Sequence, residues 1–561
     1  MKYAAYRFKI AALISILGWN YGNNALRAQE CVPTESAVLE TIHYRAPLSV
    51  NTIWNGPGYG SSPDPDAPAL LGFAELLLGG FDPGGNLHVF QSSESGIVPG
   101  PTVPLLQEEI CTYFDRFWRV THTQIQDHVN DAADGLVDDP IPAIYEWPGR
   151  GNVDLPNFPT DFELAPFYDL NANGLYEPDL GEYPDIQPAD YGFPLYPTEM
   201  VWWMFSNAND DDLIPVNIGC TAFHFDDRPD SILQRASFYQ FNLTNRSVED
   251  LDSLHFALAL RPRLGCPKDD YFGVLPESIF EGRPVYFYNA DAVDGNNEND
   301  CTENRPTFPE TPPAVTVHFL QNFLNPIYND SGHAIDTVRS PTPSITYGRM
   351  TPFGSTSPLA YPNSDVTFYN RLTGTWNDGS RQRFGGDGYQ SSTETVAYPF
   401  TGDPSVAGSW SMLQEDLAPG DFRVYLSSFA GRLRPGQSRS AIVAVTSHLG
   451  PTYLPDLTQI TATLQDLENL FYTGCLVNSF MDEPLPPVTT QLFPNPTNTL
   501  FTVKSAVPIR RVELYDTQGH LRRSQRDATV LVEDLPLGIY FVRVTGSDDS
   551  LWHGRVLVDH N

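Results

Sequence analysis

Oxygen-bearing side chains recur at alternate positions in the run Asp169-Leu170-Asn171-Ala172-Asn173-Gly174-Leu175-Tyr176-Glu177-Pro178-Asp179-Leu180-Gly181-Glu182. A hard divalent cation such as Ca2+ prefers several carboxylate, amide and backbone oxygens, and glycine at the sixth position lets the chain wrap the ion. The pattern matches the opening of an EF-hand-like loop, with Asp169, Asn171 and Asn173 as side-chain ligands and Leu175 as donor of a backbone carbonyl oxygen. The twelfth position is Leu180, so the usual bidentate acid is missing, and Asp179 or Glu182 would have to replace it with altered geometry. Pro178 also opposes the helix that normally follows such a loop. Two readings stay open: a structural Ca2+ staple, or a surface loop whose Asx side chains cap their own backbone.

Other chemistry-bearing groups are less well arranged. The loop Asn289 to Asp300 is equally rich in oxygen but poorly spaced, and Asn209-Asp210-Asp211-Asp212 is a plain charge cluster; both read as solvated turns. Trp202-Trp203 resembles a sugar platform only superficially, because adjacent strand residues face opposite sides, and core packing is the better reading. His224 stands beside Asp226 and Asp227 but lacks a second histidine. Signatures of a nucleophile elbow, a zinc protease or a phosphate-binding loop are absent, and no pair of carboxylates is singled out for glycoside hydrolysis. No catalytic residue is assigned.

The elements that must position these loops are strands. Among 561 residues, 50 prolines, 42 glycines and 12% aromatics favour strands and turns over long helices. A hydrophobic share of 41% against 18% charged excludes wholesale disorder, and a net charge of −36 disfavours nucleic acid and anionic lipid as partners. Leu70 to Gly80 reads as a strand entering the turn Asp82 to Asn86, and Cys111 to His128 fits either strand or helix. Ser237 to Leu243 with Leu254 to Leu260, and Phe422 to Phe429 with Ser440 to Ser447, read as two hairpins. The expected class is therefore mainly β: a large β-sandwich with long loops, a short helix, a Pro-rich linker and a small Ig-like sandwich.

The expected division is a signal peptide over 1–28, a loop-rich β region over 29–190 and a β-sandwich over 191–452. An amphipathic helix over 453–475, a linker over 476–490 and a small C-terminal domain over 491–561 complete it. Lys2, Arg7 and Lys9 before the apolar stretch Ile10 to Trp19 support the signal peptide, with cleavage after Ala28. Later on, no stretch reaches the ~18 to 20 consecutive apolar residues of a membrane helix. Leu457, Ile460, Leu464, Leu467, Leu470 and Phe471 share one helix face, with Asp456 as N-cap and Gly474 as terminator. Six cysteines permit roughly 15 full pairings in an exported chain, of which a Cys266–Cys301 bridge across the acidic loop is favoured.

Beyond the linker, Leu492-Phe493-Pro494-Asn495-Pro496, Leu514-Tyr515-Asp516 with Gly519, and Leu535 to Gly538-Ile539-Tyr540-Phe541 follow one another in order. This segment resembles the type A C-terminal sorting domain of the type IX secretion system, found in Bacteroidetes. The resemblance implies recognition by the outer-membrane translocon and removal by a cysteine-protease-like sortase that often joins the cargo to lipopolysaccharide. Such domains often end in a lysine-bearing strand, whereas this one offers only Arg555. Phe114 to Trp118, Trp147 to Asn152, Ala165 to Asp169, Val201 to Phe205 and Leu264 to Gly273 more loosely resemble a widespread set of Bacteroidetes exported proteins that carry the same tail. No activity follows from that second resemblance. The function expected is a secreted or surface-attached, non-enzymatic scaffold with structural calcium, binding a glycan or protein; the alternative is a secreted hydrolase acting on polysaccharide or protein.

Overall fold

The computed structural model describes residues 32–51, 53–54, 58–92, 97–103, 107–159, 162–171, 173–186, 197–207, 216–225, 232–275, 283–295, 306–308, 311–328, 334–340, 343–350, 355–472, 491–494, 497–505, 508–516, 521–546 and 551–558. The expected signal peptide, the expected linker, Gly474 and Cys301 lie outside these residues.

Two antiparallel sheets pack face to face. One has eight strands, in the order Ser36–Glu40, Arg45–Ser49, Tyr59–Gly60, Ala69–Phe81, Leu251–Pro262, Phe422–Leu433 and Ser344–Arg349, with Leu87–Gln91 also paired to Ala69–Phe81. The other has nine, in the order Asp270–Val274, Val285–Asn289, Ala314–Gln321, Ser438–His448, Ala236–Asn245, Val216–His224, Glu199–Ser206 and Val98–Pro99, with Trp118–Thr121 also on Glu199–Ser206. Their facing sides share one apolar cluster, in which Phe241 meets Phe256 at a ring distance of 5.1 Å. Polar atoms in this core find partners across it: Trp54 Nε1 donates to the Tyr239 hydroxyl at 2.8 Å and Trp203 Nε1 to the Val50 carbonyl at 3.1 Å. The expected mainly β sandwich is the observed one.

Strands from before and after residue 190 sit side by side in both sheets. One expectation about connectivity is corrected: the two expected hairpins are not hairpins. Ala236–Asn245 belongs to the nine-stranded sheet and Leu251–Pro262 to the eight-stranded one, and the same is true of Ser438–His448 and Phe422–Leu433. Each polar turn carries the chain from one sheet to the other. Alternation along a strand reports that one face is buried; it does not report which neighbour accepts the backbone hydrogen bonds.

The two crossings meet at Asn245, which is fully buried. Its Nδ2 donates to the carbonyls of Glu249 and Leu433 at 2.8 and 2.9 Å, while Oδ1 accepts from the Ser247 amide at 2.8 Å. Its own amide donates to the Gln437 carbonyl, and its carbonyl accepts from the Gly436 amide. One side chain thus ties both corners together.

Both outer faces of the sandwich are covered. Helix Asp365–Leu372 lies on the eight-stranded sheet, setting Leu372 on Leu77, Ala257 and Tyr425. It approaches so closely that a Cβ on Gly79 would stand 2.8 Å from the Leu372 side chain and 2.9 Å from the Tyr369 ring, so any larger residue there would force the helix side chains to shift. The expected amphipathic helix is Leu457–Tyr472, capped by Asp456 Oδ1 on the Thr458 and Gln459 amides at 3.1 and 3.0 Å. Its Phe471 stacks on Phe238 of the nine-stranded sheet. The ambiguous stretch from Cys111 contains both alternatives: helix Gln107–Phe114, strand Trp118–Thr121 and helix His122–Asp131, the last opened by a Thr121/Gln124 capping box. Cys220 is a buried free thiol and Cys111 and Cys266 are disulfide-bonded, so the six cysteines do not form three bridges among themselves.

The C-terminal segment builds two small sheets of its own. Gln491–Phe493, Leu500–Lys504 and Thr529–Leu531 form one, and Leu521–Gln525, Ile509–Tyr515, Gly538–Gly546 and Leu551–Val558 form the other. Phe501, Val503, Val512, Leu514, Val530, Val542 and Val556 close a core that is separate from the larger cluster.

Replacing Asn245 by Ala leaves two corner carbonyls without a donor, each worth about 1–3 kcal/mol when buried. Urea denaturation of N245A is expected to show a loss of about 2–4 kcal/mol with an unchanged m-value.

Candidate functional site

The loop that opened the sequence analysis folds on itself. Asp169 Oδ1 accepts from the Asn173 amide at 3.2 Å and Oδ2 from the Gly174 amide at 2.7 Å. Asn171 Oδ1 accepts from the Asn173 amide at 3.0 Å, and Asn173 Oδ1 from the Leu175 amide at 2.7 Å. Gly174 at φ +75° lets the chain reverse above these turns. Glu182 is fully buried and accepts from the Leu170 and Glu177 amides at 3.0 and 2.8 Å, and burial raises its pKa above the ordinary carboxylate value. Asp179 sits apart, accepting from the Tyr145 hydroxyl at 2.7 Å. Asp169, Asn171 and Asn173 are therefore brought together, Glu182 buttresses them, and Leu175 contributes its amide to the turn.

Glu177 is the residue the sequence reading missed. Its Oε2 receives both side-chain amides, from Asn171 at 2.9 Å and Asn173 at 2.6 Å. It occupies the ninth position of the loop, which is a ligand position in the EF-hand register, so spacing alone signals it. Among the described residues, no three His, Cys, Asp or Glu side chains form an arrangement able to hold a metal ion.

The loop forms one wall of a cavity of about 300 Å3, whose floor is the outer face of the nine-stranded sheet. Arg150, Glu163, Phe167 and Asp169 line the wall, and Met204, Gly219, Gln240, Asn242 and Thr244 line the floor. The floor is polar because neighbouring strands place short polar side chains in one register, Gly219 beside Asn242 and Thr244 beside Ser438. Gln240 Nε2 donates to Ser440 Oγ at 3.1 Å, and Ser438 Oγ donates to Glu163 Oε2 at 2.8 Å.

Trp202 and Trp203 are both fully buried and face opposite sides, as strand geometry requires. Trp203 enters the sandwich core, and Trp202 packs edge-on against Trp118. His224 lies 3.8 Å from the Glu199 carboxylate, which Arg119 also engages at 2.5 Å. Asp226 and Asp227, and the cluster Asn209 to Asp212, lie outside the described residues.

The second acidic loop is a solvated turn only at its tip, where Ala292 and Val293 are exposed; its ends are drawn inward, which corrects the sequence reading there. Asn289 and Asp294 are buried, and Asp294 Oδ1 accepts from the Cys266 amide at 2.9 Å. Asp269 Oδ2 accepts from the Gly295 amide at 2.9 Å, so the loop is drawn inward onto Asp269 and Asp270. Burial, reinforced by the neighbouring Asp294 and Asp291 charges, pushes Asp269 up to about 6.

In the tail, the motif residues occupy structural positions. Pro494 is exposed at the end of the first strand, while Asn495, Pro496 and Gly519 lie outside the described residues. Tyr515 is buried, and Asp516 pairs with Arg522 at 2.6 Å. Gly538 adopts φ +151°, Ile539 pairs with Leu557 in the sheet, and the Tyr540 hydroxyl donates to the Pro536 carbonyl at 2.9 Å. That last bond holds the corner leading into the Gly538–Gly546 strand. Residues 491–558 match the family described as secretion system C-terminal sorting domain. The tail is a sorting domain. It directs export, so the protein works in the medium or on the cell surface. The sorting domain implies recognition by the type IX secretion system.

For the chain as a whole, no curated protein matches. A solved polysaccharide lyase is matched over 68% of this chain and 37% of its own length, at 10% identity and a TM-score of 0.17. This chain spans little more than a third of that protein, and a likeness so loose carries no argument about activity.

Because the folded pKa of Asp269 is raised, protonation stabilises the fold: the benefit is complete below the ordinary carboxylate value and is lost as pH rises through about 6. Melting curves between pH 4 and pH 7 are expected to fall more steeply for the natural protein than for D269N, which removes the charge. Parallel pH profiles for the two proteins would contradict this.

Proposed function

We propose that the protein is an exported, non-enzymatic binding scaffold, carried outside the cell by its tail and presenting the loop-walled cavity of its large sandwich. The observation that carries this reading is the sorting domain over residues 491–558. In the same reading, a sortase removes that domain and transfers the cargo to surface lipopolysaccharide. The non-enzymatic part rests on the commitment of the cavity's acids. Asp169 uses both oxygens to hold backbone amides, and Glu163 accepts from Ser438. Both acids thus already have structural roles, in the loop and on the sheet. The hydrolase reading retains one supporting observation, that Glu163 and Asp169 line the same cavity.

Calcium belongs to this proposal as a staple of the first acidic loop. Asp169, Asn171, Asn173 and Glu177 supply hard oxygen atoms at the spacing such loops use, and a carboxylate oxygen that accepts one amide keeps a further lone pair for an ion. Rotation of the Asn171 and Asn173 amides would turn their oxygens toward Glu177 once a cation screened its charge.

Deleting residues 491–558 in the producing bacterium is expected to abolish appearance of the protein in the medium or on the surface, read by immunoblot of cell fractions. Undiminished delivery would sink the export reading. Millimolar Ca2+ is expected to raise the melting temperature by several degrees, with the gain lost on adding EDTA and absent in D169A/E177Q. An E163Q variant indistinguishable from the natural protein in polysaccharide and peptide hydrolysis assays is the expected outcome; hydrolysis lost on that change would favour the enzyme.

A further inference from the structure

Of the six cysteines, Cys220 is a buried free thiol, while Cys111 and Cys266 are each disulfide-bonded. The places of these two in the nine-stranded sheet show that they are not bonded to each other. Cys111 lies in helix Gln107–Phe114, whose Ile110 and Phe114 pack against Gly100, directly after the strand Val98–Pro99. Cys266 precedes Asp270–Val274, the strand at the opposite edge of the same sheet. Six strand-to-strand steps separate that edge from Glu199–Ser206, the neighbour of Val98–Pro99, a span of about 29 Å at ~4.8 Å per step. The chain from Asp270 back to Cys266 recovers at most about 14 Å of it. A disulfide needs its two Cα atoms within roughly 7 Å.

Their partners therefore come from Cys31, Cys301 and Cys475, which lie outside the described residues. Two carboxylate clamps decide between them. Asp115, one helical turn after Cys111, accepts from the Thr34 amide at 3.1 and 3.0 Å and from the Thr34 hydroxyl at 2.6 Å. It also accepts from the Glu35 amide at 3.2 Å, and its own amide donates to the Cys111 carbonyl at 2.9 Å. Cys31 is joined to Thr34 by a stretch of chain that spans at most about 11 Å. The second clamp is Asp294, which accepts from the Cys266 amide at 2.9 Å and from the Phe308 amide. The neighbouring Gly295 amide is held by Asp269 at 2.9 Å. The segment that carries Cys301 thus leaves from, and returns to, the residue that holds Cys266.

We infer that Cys31 is bonded to Cys111 and Cys266 to Cys301, which leaves Cys220 and Cys475 as thiols. The first bridge ties the expected start of the mature chain to the helix flanking the nine-stranded sheet. The strand that follows, Ser36–Glu40, is the edge of the eight-stranded sheet and has a neighbour on one side only, so the bridge holds an otherwise frayed end. The second bridge closes the acidic loop drawn in over Asp269. Each forms when two thiols give up two protons and two electrons to the disulfide of a thiol–disulfide oxidoreductase, which leaves as a dithiol. An exported chain meets such catalysts in the periplasm. The inference goes beyond the binding-scaffold reading and stands or falls apart from it.

The test expresses the full chain with its signal peptide, alkylates it in denaturant without reductant, and maps the digest by mass spectrometry. Linked peptides joining Cys31 to Cys111 and Cys266 to Cys301 are expected, with the alkyl label on Cys220 and Cys475 alone. C31S, a change near the chain terminus that touches neither sheet, is expected to melt several degrees below the natural protein. Reducing both proteins is expected to erase that difference, which separates the bond from any packing effect of the serine. A peptide joining Cys111 to Cys475, Cys266 joined to anything but Cys301, an alkylated Cys31, or C31S melting as the natural protein does would each overturn the inference.

Discussion

The nine-stranded sheet is buried on both faces, and every other feature of the large domain answers to that constraint. A sheet with one wet face can leave polar side chains to water; this one cannot. Its inner face is apolar and closes against the eight-stranded sheet. Its outer face is aromatic at one end, where Phe238 meets Phe471, and polar in the middle, where the loops between residues 147 and 182 replace solvent. Side chains there find one another: Thr244 with Ser438, Thr316 with His448, and Asn217 with the Thr102 amide.

The two acidic loops show how the same composition serves opposite ends. Asp169 to Glu182 keeps its Asx side chains at the surface, where they cap its own turns, and buries Tyr176, Pro178 and Glu182. The loop after Asn289 is folded inward, so that Asp294 packs onto Gly265 and shares its surroundings with Asp269 and Asp270. Acid content alone does not separate these outcomes. The difference lies in the neighbouring strand ends, Asp270 and Asn289, which are paired across the sheet and pull the second loop down with them.

Much of the fold was legible because strand alternation, turn residues and caps are local. The Leu70 to Gly80 strand, the Asp456-capped helix and the described strands of the tail stand where their residues indicate. The sheet membership of Ala236–Asn245 and Phe422–Leu433 was not legible, since a crossing between layers and a hairpin use the same polar turn. At the site, Asp169, Asn171 and Asn173 were readable from spacing, and Glu177 was readable in principle from its ninth place. The polar floor was not. Gly219, Gln240 and Asn242 come from two strands whose register is set only by the assembled sheet.

The meeting of both crossings at Asn245 has a consequence for how the protein reaches its working place. Asn245 must find Leu433 and Gln437, nearly two hundred residues further along. Contacts of such sequence separation make folding slow, because a long loop must close before its reward is collected. A chain threaded through a pore from its leading end can therefore lock neither layer until most of its length is on one side. The sandwich is built as an all-or-nothing assembly, completed before transport or after it, but not during it.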